Sequence, residues 1–327
     1  MPVTITGGIT FTGNGVTMVG APSGPTAGWY AGGVAGGFVS SVSRSTFATD
    51  TATTSTRGSL SSTSFFAAGG TGTNTNGWFG GGYSAPAIFR SSVNRITYAT
   101  DTETASSRGP LAASGYGTTA TTDGTTYGWW GGNKFGPSSW SSVVSRIIFA
   151  TDTATASLRG PLTTNKSAVG ATGNTTDGWY GGGENPPGFT IISTVDRITY
   201  ATDTATAVAR GPLAVTCYRM AGMVTDISTY GWYAIGFLSP TGASSMIQRI
   251  TYANDTATSV ARGSLTSARY YGSATSDNST YGWFAGGNPG PRSSIDRITF
   301  ATDTATATAR GDLVAASASI SSSSGIQ

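Results

Sequence analysis

A segment reading Arg-Ile-Thr-Tyr-Ala-Thr-Asp-Thr-x-Thr in its fullest form, and closing on Arg-Gly, occurs six times along the 327-residue chain. Its first arginine stands at Arg44, Arg95, Arg146, Arg197, Arg249 and Arg297, so consecutive copies lie 51, 51, 51, 52 and 48 residues apart. The second arginine follows thirteen residues later in every copy, at Arg57, Arg108, Arg159, Arg210, Arg262 and Arg310. An aspartate follows the first arginine by six residues each time, at Asp50, Asp101, Asp152, Asp203, Asp255 and Asp303. A period near fifty with fixed internal spacing is one supersecondary unit copied along the chain, and it buries its core by stacking on its neighbours.

Each unit carries a second landmark, Gly-Trp followed by an aromatic residue: Gly28-Trp29-Tyr30, Gly77-Trp78-Phe79, Gly128-Trp129-Trp130, Gly178-Trp179-Tyr180, Gly231-Trp232-Tyr233 and Gly282-Trp283-Phe284. Six of the eight tryptophans are therefore periodic and read as core; Trp130 and Trp140 are extra. Four short strands per unit follow. The first comes after Arg-Gly-x-Leu, as in Phe65-Phe66-Ala67-Ala68, and the second is the Gly-Trp segment. The third is Val-x-Arg-Ile-Thr-Tyr-Ala and the fourth ends in Arg-Gly. Strand three is β-branched and aromatic on both parities, Val93 against Ile96 and Tyr98, which predicts a strand buried on both sides. Strands three and four form a hairpin around Thr-Asp-Thr. Its aspartate is expected to accept turn amides, and its two arginines to face one another across the hairpin. Those arginines would bond main-chain carbonyls, the periodic aspartate or groups on the next unit. Non-framework acids such as Asp196 and Asp296, each directly before a framework arginine, are expected to form strand pairs.

Four-stranded units of this length arranged radially make an all-β, six-bladed β-propeller. The order of landmarks resembles the kelch family, as in Trp179-Tyr180-Gly181-Gly182-Gly183, then residues 195–203, then Arg210-Gly211. The sequence departs from that family where the closing-strand tryptophan is replaced by Ala or Val, and it places Ile235 where other units have Gly and Ser45 where others have Ile. The repeated wording, and the opening stretch Met1 to Phe11, also resemble repetitive virion proteins of marine bacteriophages, cyanophages in particular. That resemblance implies a component of an extracellular particle.

Only 10% of residues are charged, against roughly 25% in an ordinary soluble domain. The net charge of +3 suggests a nucleic-acid partner until it is divided. The framework holds twelve arginines against six aspartates; the rest of the chain has four arginines and two lysines against seven aspartates and two glutamates, without a basic cluster. A phosphate-tracking surface needs clustered cations, so no nucleic-acid partner is expected. No run of apolar residues is long enough to span a bilayer as a helix, and the start lacks the form of a signal peptide. With no histidine, the usual Ser-His-Asp and Cys-His systems are excluded. No nucleotide-binding motif is present, and no metal or other cofactor is expected. Cys217, the one cysteine, reads as a small buried side chain.

What varies is the loop between strands two and three. Its candidate contact residues are Phe89, Arg90, Phe135, Trp140, Phe189, Phe237 and Arg292. Radial blades would gather these loops on one face, where aromatic residues and arginines on a fixed scaffold suit recognition. Residues 1–14 are expected to be an attachment or closure strand, with Val3, Ile5, Ile9 and Phe11 as its apolar contacts, and residues 15–327 the propeller. Residues 15–20 and 314–321 both stand where other units have their first strand. One of them would supply the innermost strand of the first blade, placing the two chain ends on adjacent or shared blades. The expected function is non-enzymatic: a phage structural protein, on a tail fibre or appendage or as capsid decoration, contacting other virion proteins or a host-surface glycan or protein. The alternative is a glycan-binding, lectin-like propeller, with Trp140 or Phe189 as a stacking platform.

Overall fold

The computed structural model describes residues 9–12, 15–18, 24–63, 68–84, 88–136, 138–186 and 188–325. It is a six-bladed β-propeller, each blade a four-stranded antiparallel sheet. Blade two runs from the inside outward through Gly69–Gly72, Asn76–Gly80, Val93–Thr97 and Ser106–Arg108. The six innermost strands touch one another in a closed cycle around a central channel. Their composition follows from that crowding. Gly69–Gly72 is GGTG, Thr119–Thr122 is TATT and Ser321–Gly325 is SSSSG. The expected first strand of unit two, residues 65–68, lies largely outside the described residues; the pairing strand begins at Gly69.

Ring closure comes from the C-terminal side. Ser321–Gly325 pairs antiparallel along Ala27–Ala31 as the innermost strand of blade one, so both ends of the propeller share one blade. Residues 314–317 belong instead to the outermost strand of blade six, Thr308–Ser317. Gly15–Met18 does not join a blade; it pairs with Ile9–Thr12 in a separate two-stranded hairpin. Of the attachment candidates, Ile9 and Phe11 lie on that hairpin, and Val3 and Ile5 lie outside the described residues.

The framework residues join blades rather than bracing a hairpin. Asp101 of blade two receives Trp29 Nε1 at 2.8 Å and Arg44 Nη1 at 3.0 Å on one oxygen, Oδ2, and Arg57 Nε lies 3.2 Å from the same atom. All three donors belong to blade one. Its main-chain carbonyl also accepts the Gly58 amide at 2.8 Å. The arrangement recurs at Asp152, Asp203, Asp255 and Asp303, and Asp50 closes the circle by receiving Trp283 at 2.8 Å and Arg297 at 2.9 Å, with Arg310 Nε at 3.3 Å. The two arginines of one blade do not sit opposite each other. Arg95 pairs with Ser106 and Arg108 with Val93, so both side chains reach the next blade without facing one another. Two cations sharing one carboxylate in each clamp also account for the basic balance of the framework.

Around each aspartate the aromatic residues follow the same rule. Strand three stops one residue short of its tyrosine, and Tyr98–Thr100 forms a single turn of 3-10 helix. That turn lays Tyr98 flat on Trp29, with ring centroids 3.8 Å apart, and the equivalent stacking repeats through Phe47 on Trp283 at 3.9 Å. The periodic tryptophans are all buried, none more than 2% exposed. The Arg-Gly glycine is dictated by the same contact: a Cβ on Gly58 would lie 1.8 Å from the Glu103 carbonyl oxygen of the next blade. The residue before each framework arginine points away from the clamp into the sheet-to-sheet core. Asp196 and Asp296, expected as strand pairs there, instead hold buried cations, Lys166 at 3.0 Å and Arg269 at 2.9 Å. Removing one partner of a buried ionic group costs about 3–5 kcal/mol. Asp152→Ala, which strips three donors of blade two of their acceptor, is expected to lose that much in urea unfolding. Asp226→Ala, which releases only the turn amides of residues 228–230, should lose about 1 kcal/mol.

Candidate functional site

Antiparallel order fixes what each face of the ring carries. Strand two runs toward one face and strand three leaves it, so the variable loops emerge there in every blade. The connections from each outermost strand into the next blade's innermost strand reach the channel on the same loop face. The short turns between strands one and two lie on the opposite face, where Asp123, Asp226 and Asp277 each accept three amides of their own turn through Oδ1.

At the loop face five of the six blades, among the described residues, place a residue in the left-handed region where the chain enters the innermost strand. Gly117, Ala168, Arg219, Tyr271 and Ser319 have φ of 68°, 55°, 53°, 54° and 56°. Four of these are not glycine, and left-handed backbone costs such residues roughly 1–2 kcal/mol each. An inter-blade chain of main-chain hydrogen bonds offsets that cost. The amide of Ala168 donates to Gly117 O at 2.9 Å, Arg219 to Ala168 O at 2.9 Å, Tyr271 to Arg219 O at 3.0 Å, and Ser319 to Tyr271 O at 2.6 Å. Below this collar lies a cavity of about 150 Å³, and at the opposite mouth one of about 480 Å³. Both are lined by Gly70, Ala120, Ala171, Met223, Ala274 and Ser322, one from each innermost strand, which marks the waist of the channel.

Two aromatic groups join the variable loops to the residues that directly precede the collar. Phe89 stacks on Tyr116 with centroids 5.8 Å apart, and Tyr83 lies within 5.8 Å of Phe89, Tyr116 and Phe38. Phe237 packs edge-on against Tyr218 and Tyr270, each at 5.4 Å. The loop candidates thus join residues that precede the innermost strands. Tyr116, Tyr218 and Tyr270 each stand eight residues after the second framework arginine, and that offset within the repeat is the signal that would have found them. Arg90 donates to Ser84 Oγ at 3.1 Å within blade two, whereas Arg292 of blade six donates to Ser267 Oγ of blade five at 3.2 Å.

Trp140 and Phe189, from blades three and four, meet edge-on at 5.1 Å. Lys134 Nζ sits 4.4 Å from one ring centre and 4.3 Å from the other, and 3.3 Å from Glu184 Oε1. Trp140 Nε1 and Ser167 Oγ donate to the same carboxylate oxygen, at 3.4 and 3.3 Å. Trp140 is only 6% exposed, whereas Phe189 is 53% and Phe135 48% exposed. The exposed rings, rather than Trp140, present open surface. Lys134 and Glu184 are found in no other unit, so periodicity gave no reason to pair them. Cys217 is fully buried, and desolvation pushes its thiol up to about 12, which makes it a packing residue.

This face defines the chain, at the level of fold and surface, as a β-propeller with a ring-shaped loop platform. Compared with known proteins, the chain matches no family model and no curated sequence. Glu184→Ala leaves Lys134 as a buried, unpaired cation and is expected to destabilise the protein by about 3–5 kcal/mol. Lys134→Met combined with Glu184→Gln should recover most of that loss in the same urea titration.

Proposed function

We propose that this chain is a non-enzymatic recognition propeller of kelch-like blades, carried on a bacteriophage particle as part of a tail fibre, appendage or capsid decoration. The observation that carries this reading is a division of labour. The ordered charges of the repeat are spent on the six inter-blade clamps, at Asp50 and its five equivalents. The residues that differ from blade to blade gather on one face, where Phe135 and Phe189 are about half exposed. Variable side chains on a rigid scaffold are the material of contact surfaces, and exposed aromatic anchors carry a large share of binding energy. The low charge, the small-residue repeats and the resemblance of the repeat wording to virion proteins support the particle setting. Partners in this reading are other virion proteins or a host-surface glycan or protein.

A lectin-like role is the second reading, favoured by the open ring of Phe189 on a variable loop. A glycan array with hits that vanish on loop replacement would favour it over protein contact. The particle reading fails if mass spectrometry of purified virions from the encoding phage finds no such polypeptide. The recognition reading is tested by Phe135→Ser with Phe189→Ser in that phage. Host adsorption or particle incorporation should drop at least about tenfold, as loss of interface anchors implies. The melting temperature should move by a few degrees at most, as for surface changes. Unchanged adsorption and incorporation would overturn it.

A further inference from the structure

Every lysine and arginine among the described residues has an ion pair or a side-chain hydrogen bond to protein, with one exception, Arg219. Its guanidinium is held between rings instead, 4.7 Å from the centre of Tyr218 and 5.2 Å from that of Tyr271. Its Nε–H is buried and donates to no acceptor of the protein among the described residues. Arg219 is a collar residue, fixed by its left-handed backbone and by the main-chain bonds on either side. The cavity below the collar is lined by Arg219, Tyr271 and Ser319 together. Ser319 is 2% exposed, yet its Oγ has no hydrogen-bond partner among the described residues. Ser319 Oγ is the one buried serine or threonine oxygen without a partner among the described residues, and it shares this cavity with a guanidinium that has no ion pair; a buried hydroxyl left unpaired costs free energy unless something arrives to pair with it.

We propose that the loop-face cavity is a binding site for a compact carboxylate, held by Arg219 and Ser319 and walled on one side by Tyr271. A guanidinium offers two parallel N–H donors that match a carboxylate, and the Ser319 hydroxyl supplies a third. One net positive charge suits a monoanion better than a doubly charged phosphate. The aromatic wall at Tyr271 favours a ligand whose body presents a C–H face, as a sugar acid does. Polarity along the channel agrees: the residues lining the opposite mouth include the acids Asp123 and Asp277, which favour an anion on the collar side. The cavity of about 150 Å³ admits a molecule of one-ring size rather than a polymer chain threading through. This inference rests on the recognition reading only in placing a ligand on the loop face. The residues it uses belong to the collar, so the Phe135 and Phe189 variants test that reading separately.

The test is calorimetric titration of the full chain with glucuronate, propionate, glucose and inorganic phosphate. Glucuronate should bind and weaken with added salt, glucose should not bind, and phosphate should bind at least about tenfold more weakly. Propionate binding as tightly as glucuronate would make the site one for simple carboxylates; propionate binding more weakly would assign it to a sugar acid. Both outcomes uphold the carboxylate. Arg219→Met should weaken binding about tenfold to a hundredfold, the worth of a hydrogen bond to a charged group, and Ser319→Ala should weaken it less. Circular dichroism and melting confirm the fold of each variant, and Arg219→Gly, which suits the left-handed backbone, provides a second charge-removing variant. No carboxylate binding by the wild type, equal binding of glucose or phosphate, or undiminished binding by both folded Arg219 variants would overturn the proposal.

Discussion

One carboxylate oxygen per blade holds this ring together. Asp101 Oδ2 and its five equivalents each gather an indole and two guanidinium groups from the preceding blade. Much else follows from that junction. The 3-10 turn after strand three delivers an aromatic ring onto the clamp tryptophan, the Arg-Gly glycine lets the neighbouring carbonyl approach, and the aspartate carbonyl takes the glycine amide. Because the donors and the acceptor lie on different blades, no blade completes the clamp alone. The sixth clamp, Trp283 to Asp50, links the ends of the array, and the strand Ser321–Gly325 seals the same first blade from inside.

The blade count, the four strands per blade and the burial of the periodic tryptophans were legible in the sequence because each rests on spacing repeated six times. The partners of the framework were not. Trp29 stands 21 positions from Asp50 and 72 from Asp101, and a repeat offers both at equal credit in every copy. Distance decides in favour of the later one, since an indole on strand two of one blade points at the turn of the next. The same ambiguity hid the closing strand, for which two segments competed until pairing with Ala27–Ala31 chose the C-terminal one.

The loop face was legible as a gathering of variable segments and no further. Phe89 and Phe237 come together with tyrosines from the connections into the innermost strands, while Trp140, chosen as an open platform, lies covered beside Lys134. These contacts join residues that occur once each, so no period marks them. Arg219 was missed for a different reason. Bulky residues rarely adopt positive φ, and only the five collar positions among the described residues, all at positive φ, show that the ring geometry imposes it there. The recurrent residues build the ring, and the non-recurrent ones decorate its upper rim. That division places the scaffold's energetics and the contact surface on different atoms of the same blades.

The central claim is that the six clamps form one cooperative circuit. Hydrogen exchange of the clamp indole protons, resolved by NMR on the intact protein, tests it most directly. If the account holds, the Nε1 protons of Trp29, Trp78, Trp129, Trp179, Trp232 and Trp283 are all strongly protected and exchange at one common rate, set by opening of the whole ring. Separate rates, with the Trp283 proton at the closure released long before the others, would contradict it and describe six blades that open one at a time.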